Sequence, residues 1–112
     1  MGRRRIYQHH KIPATVVRMV QTMVQDYPRR KRIIEYSSAS SDIANATCMR
    51  LNQIIEIAIN EEEPMLNAII VGDIINDRGY YQSEATVISS KNLYYKTKRR
   101  LIEDIATRCN LI

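Results

Sequence analysis

Apolar residues recur at helical spacing along most of this chain. Ile12, Val16, Val17, Val20, Met23, Val24 and Tyr27 fall three, four and seven apart on one face, and Pro13 suits a first turn. Pro28 is expected to stop or kink that helix, because the residue before a proline disfavours the α region. The basic run 29–32 then leads to Ile33, Ile34 and Tyr36, one or two further turns. Serines at 37–41 make a polar break, with Ser41 a good N-cap and Asp42 well placed near the positive end of the next helix. That helix carries Ile43, Ala46, Thr47, Leu51, Ile54, Ile55 and Ala58 at the 3.6 period. Ile57 and Ile59 widen its stripe, so its second half should be central. Glu61, Glu62 and Glu63 before Pro64 read as a helix start, with Leu66, Ile69, Ile70, Ile74 and Ile75 as the buried face. Asp77-Arg78-Gly79 should end it, with Gly79 at the C′ position. A short segment over 80–88 and a long helix from about Ser90 to Arg108 complete the pattern.

The expectation is an all-α fold: about five helices in one compact domain over 12–112, preceded by a basic arm at 1–11. A length of 112 residues fits one domain, and three Gly and three Pro are sparse punctuation for an all-β chain. With no Trp and no Phe, seven Tyr, five Met and many Ile must supply the large apolar volume. Cys48 and Cys109 lack CxxC spacing and a secretory leader, which reads as packed, reduced thiols of a cytosolic protein. The longest apolar stretch, 68–75, is broken by Gly72 and Asp73, so no membrane span is expected.

Charge changes the picture from fold to function. The net charge is +5, and twelve of the 17 basic residues are clustered, at Arg3-Arg4-Arg5, at 29–32, and at Lys91, Lys96, Lys98, Arg99 and Arg100. Cations in clusters bind polyanions by releasing condensed counterions. The last cluster lies in a segment, about 80–109, that reads as a helix-turn-helix. Residues 84–88 would be the support helix. Ser89 or Ser90 would cap the second helix and donate to a phosphate. In that helix Leu93, Thr97, Leu101, Ile105 and Cys109 lie four apart as an inward stripe, flanked by Tyr94 and Ile102. Asn92, Tyr95, Lys96, Arg99 and Arg100 then face outward, beside Lys91. These are donors that read purine edges or grip phosphates. The candidate DNA-binding residues are therefore Ser89, Ser90, Lys91, Asn92, Tyr95, Lys96, Arg99 and Arg100.

The run ISSKNLYYKTKRRLIEDIA resembles the helix-turn-helix of small phage and prophage transcriptional regulators of the ArpU and RinA type, which are similar to region 4 of bacterial sigma factors. The matching residues are Ile88, Ser89, Tyr94, Tyr95, Lys98, Arg99, Arg100, Leu101, Ile102 and Ala106. The earlier DYPRRKRII also looks like the front of such proteins. The resemblance implies a sequence-specific regulator that reads the major groove of double-stranded DNA in a bacterial cytoplasm, with RNA polymerase as a second partner to consider. One position departs from the pattern. Val87 stands where the turn usually has glycine, and a β-branched residue resists φ > 0, so the turn is longer or its boundary lies elsewhere.

Other constellations are weaker. Arg3-Arg4-Arg5 is either a solvated tail or a minor-groove arm. His9-His10 lacks partner ligands at metal spacing, and consecutive acids at 61–63 fan around a helix instead of converging. No metal, cofactor or enzymatic constellation is found. The isoleucine surplus of 51–59 makes a case for a homodimer. Two alternatives stand: a DNA-recognition subunit of phage packaging machinery, and a helical protein-interaction module with no DNA role.

Overall fold

Val16, Val20 and Val24 lie four apart and are buried, which is why the first amphipathic stretch becomes a helix that packs inward. The computed structural model describes residues 12–36 and 43–112; the arm at 1–11, with its arginines and histidine pair, and the 37–42 break with Ser41 and Asp42 lie outside them. Five α-helices follow in order: α1 (Ala14–Gln25), α2 (Tyr27–Tyr36), α3 (Ile43–Ile59), α4 (Pro64–Ile75) and α5 (Lys91–Arg108). Between α4 and α5 the chain makes two short 3₁₀ turns, Tyr80–Gln82 and Glu84–Val87. No strand occurs among the described residues, so the fold is all-α.

The helices share one core. α5 packs on α1, α3 and α4, and α4 also meets α1 and α3. Ile55, Ile70, Tyr94 and Ile105 are fully buried at the centre. α2 leans almost wholly on α3, and the molecule is elongated, 54 × 31 × 22 Å. The second half of α3 is the central half, as its pattern suggested, but Ile57 remains 46% exposed.

The first helix does stop just before Pro28, and the proline itself opens a second one. α1 closes at Gln25, and α2 runs ten residues from Tyr27, with Pro28 in its first turn, where a missing N–H breaks no bond. The basic run 29–32 is therefore helical, and its members face different ways. Arg30 is only 4% exposed. Its Nε donates to Asn52 Oδ1 at 2.7 Å, its Nη2 to the Met23 carbonyl at 2.5 Å and its Nη1 to Asp26 at 3.3 Å. Arg30 is thus the strut between α1, α2 and α3, not a surface cation. Arg29 remains exposed, and its guanidinium at 2.7 Å holds the Asp26 carboxyl below the usual carboxylate range. Lys31 and Arg32 are exposed.

Tyr27 joins the same strut, donating its hydroxyl to Glu56 at 2.7 Å. Burial, then the Glu56 carboxylate, pushes its pKa from 10.0 up to about 12. The unfolded chain therefore gives up this proton first. Its contribution is complete below pH 10 and is lost as pH rises towards about 12. Urea midpoints measured across that window should fall, and Tyr27→Phe should flatten the fall; an unchanged slope in the variant would exclude Tyr27 as its source.

Two helices end in left-handed residues that are not glycine. Asp77 has φ 56° and Asn110 φ 60°. At each end the next residue bonds back in the Schellman pattern: Arg78 N–H to the Asp73 carbonyl and Leu111 N–H to the Ala106 carbonyl, both at 2.8 Å. Asp77, not Gly79, therefore holds the C′ position of α4. Gly79 is extended, at φ −95° and ψ −176°. Asp77→Gly should raise stability by about 0.5–1 kcal/mol, because glycine adopts this conformation without a Cβ penalty. Thermal unfolding checks it, and a loss of stability would mean that the aspartate side chain contributes more than the strain costs.

Candidate nucleic-acid interface

Short polar side chains build the segment that leads into α5. The Gly79 N–H donates to Gln82 Oε1 at 2.9 Å, and the buried Ser83 accepts from the Ala85 N–H at 2.9 Å to cap the second 3₁₀ turn. Tyr80 donates its hydroxyl to the Ser89 carbonyl at 2.6 Å. Ser89 turns its own hydroxyl back to the Ala85 carbonyl at 3.3 Å. Ser90 is the N-cap of α5, accepting from the Leu93 N–H at 3.1 Å. Where a short support helix was expected over 84–88, the chain makes one four-residue 3₁₀ turn. Val87 ends that turn, and no residue between α4's cap and α5 beyond Asp77 has positive φ, so the connection into α5 runs without a left-handed position.

Tyr94 fixes the rotation of α5. It is fully buried, and its hydroxyl donates to Asp73 Oδ2 at 2.7 Å. Asp73, 1% exposed, also accepts from Arg78 Nε at 3.0 Å. Burial, then the Asp73 hydrogen bond, drives the Tyr94 phenol well above its ordinary pKa, so it stays a neutral donor. Tyr80 and Tyr95 stack edge-on against Tyr94, with ring centroids 5.2 and 5.0 Å away. This cluster locks the first turns of α5 onto the end of α4. Tyr94 is at the centre of the buried face and not at its flank, while Leu93, placed in the inward stripe by its spacing, is 37% exposed. Thr97 is inward as expected, its hydroxyl buried without a hydrogen-bond partner among the described residues.

The structure divides the eight candidate residues. Lys91, Asn92, Lys96 and Arg99 are exposed. Asn92, Lys96 and Arg99 stand at i, i+4 and i+7, one stripe over two turns. Lys91 sits at the start of α5 with its Nζ 5.0 Å from the centre of the Tyr81 ring. Ser90 is exposed but occupied as the cap, and half-buried Ser89 is tied to the preceding turn. Tyr95 and Arg100 do not stand free on the outward face. Tyr95 is half-buried, and its hydroxyl accepts from the Tyr80 N–H at 3.4 Å. Arg100 is half-buried and donates to the Glu62 carbonyl at 3.1 Å and to Asn67 Oδ1 at 3.4 Å. Asn67 in turn donates to the Glu62 and Ile59 carbonyls at 2.7 and 3.0 Å, so Arg100 braces the α3–α4 turn. A long guanidinium arm lets a residue on the polar side of a helix reach a neighbouring loop.

Reasoning from spacing gave no binding role to Tyr81, Val87 and Ile88, which are 73%, 87% and 47% exposed in the segment that leads into α5. An open groove of about 440 Å³ runs between α1 and α5, lined by Ile12, Val17, Arg18, Gln21, Arg99 and Ile102 among others. Among the described residues no group of His, Cys, Asp and Glu could hold a metal, and no helix is long and apolar enough to cross a membrane. Cys48 and Cys109 are unpaired and half-buried; Cys109 Sγ lies 3.8 Å from Met23 Sδ, and burial raises its pKa. No family model, no curated protein and no solved structure matches this chain.

Proposed function

We propose that this chain is a sequence-specific DNA-binding protein of the small transcriptional-regulator type, which lays the first turns of α5 in the major groove. The observation that carries this reading is the exposed stripe Asn92, Lys96, Arg99 on a helix whose rotation is locked by Tyr94 and Asp73. Asparagine and arginine are the side chains that bond adenine and guanine edges, and lysine grips phosphate or guanine. A reading helix must present them rigidly, and a buried hydrogen bond at its first turn does that. The two 3₁₀ turns would serve in place of a support helix, giving a contracted form of the helix-turn-helix that the sequence resembles. Lys31 and Arg32 on α2 are further phosphate contacts in this reading. A homodimer would suit a symmetric site, with exposed Ile57 as one place for it to form. A regulator of the phage type that the sequence resembles would work in the cytoplasm of a bacterial cell.

The test is the salt dependence of binding to mixed-sequence duplex DNA. With Arg30 and Arg100 engaged inside the protein, about three to five phosphates are left to neutralise. The slope of log K against log salt should then be roughly −3 to −4.5. A flat response would sink the reading. Footprinting on the surrounding genomic DNA then separates two roles, since a protected promoter indicates a regulator and a protected packaging site a packaging subunit. The α1–α5 groove favours a second reading, a helical module that binds a protein; a flat salt response would leave that one standing.

A further inference from the structure

Among the described residues, four of the eleven exposed large hydrophobics, Tyr81, Val87, Ile88 and Leu93, fall within thirteen positions around the start of α5. Val87 is the most exposed of them all, at 87%, so burial in the fold does not account for a β-branched side chain there. Scattered exposed hydrophobics need no explanation, but a cluster beside a functional surface does. The exposed polar residues around this cluster are neutral or basic apart from Glu84: Lys91 lies over the Tyr81 ring, and Asn92 and Lys96 are exposed on the next turns. A protein partner for these exposed side chains would bring apolar surface to them, and the nearby cations would then be desolvated at a cost. A DNA major groove brings both what the apolar side chains need and what the cations need. Its walls are phosphate, and its floor carries one apolar group, the thymine 5-methyl.

We propose that Val87 reads a thymine methyl group, so that the turn before α5 adds a specificity contact to the polar stripe on the helix. The inference rests on the DNA-binding reading above. Valine suits the task because its χ1 is stiff, so little side-chain freedom is lost when it is pressed against a methyl. Ser83, Tyr80 and Ser89 hold the 3₁₀ turn from beneath by hydrogen bonds that do not involve the Val87 side chain. Its replacement should therefore leave the fold intact.

The experiment starts by selecting bound duplexes from a randomised pool with the full chain. Each thymine of a selected site is then replaced, singly, by uracil, which removes the 5-methyl and keeps the pairing. At one or two positions the uracil should weaken the parent protein about fourfold, the equivalent of one buried methyl-sized group. The Val87→Ser variant should be weaker on the thymine site and indifferent to uracil at those positions. Val87→Thr, which keeps one γ-methyl, should retain part of the discrimination. Circular dichroism checks that each variant is folded. Selection of a defined site with no uracil penalty anywhere, or with the same penalty in Val87→Ser, overturns this proposal and leaves the DNA-binding reading in place. A pool from which no duplex is retained overturns both.

Discussion

Arg30→Ala should cost about 3–5 kcal/mol of folding stability, a large part of what a small domain has. The guanidinium is buried and hydrogen-bonds to Asn52, Met23 and Asp26. Removing it leaves the buried Asn52 amide oxygen and the Met23 carbonyl without this donor and opens a gap where α2 meets α3. Burial pulls the Arg30 pKa below its ordinary value, with Asp26 opposing that fall, but an arginine so placed remains charged. Arg30→Met fills the gap without restoring the donors, so it should recover only part of the loss. Arg32→Ala, at an exposed position on the same helix, should stay within about 0.5 kcal/mol of the parent. Urea unfolding followed by circular dichroism gives all three values. If Arg30→Ala unfolds at the parent's midpoint, the strut does not exist and Arg30 is as solvated as its neighbours in the basic run.

The starts of α4 and α5 were legible because each rule that set them is local. Pro64 after three acids opens α4, and Ser90 caps α5, as their patterns suggested. The valine face of α1 and the Leu66, Ile70 and Ile74 face of α4 came from periodicity alone. What failed was rotation. A stripe drawn by steps of four drifts by ~40° per step around a helix with 3.6 residues per turn. Over Leu93 to Cys109 that drift carries both ends off the buried face, which is why Tyr94 takes the core position and Leu93 is partly exposed. The break before Pro28 was placed late because proline is tolerated in a first turn as readily as it ends a helix, and sequence does not say which applies.

Long side chains set the other limit. Arg30 and Arg100 read as members of basic clusters, and charge clusters suggest a solvated face. Both were drawn inward by acceptors that lie far along the chain, Asn52 for Arg30 and Asn67 with Glu62 for Arg100. One local signal for Arg30 existed: Tyr27 and Ile34 lie three before and four after it, so it shares the apolar line of α2. For Arg100 no such signal was present, since its partners belong to a turn 33 or more residues away. The site that remains is smaller than the one drawn from spacing, and its members are those that tertiary packing left exposed.

Asn92→Ala and Arg99→Ala test that remaining site most directly. Both positions are exposed on the first two to three turns of α5, so the folds should be intact by circular dichroism and urea midpoint. On a site selected by the parent protein, each replacement should weaken binding by about 1–3 kcal/mol, and preference should relax at particular base pairs instead of everywhere. Lys31→Ala or Arg32→Ala should act differently, weakening all duplexes alike and lowering the salt slope by about one for each phosphate no longer gripped. The decisive quantity is the ratio of affinity for the selected site to affinity for random duplex, measured by fluorescence anisotropy at one salt concentration. The account expects that ratio to fall for Asn92→Ala and Arg99→Ala and to hold for Lys31→Ala and Arg32→Ala. Folded Asn92→Ala and Arg99→Ala variants that keep the parent's ratio would contradict it.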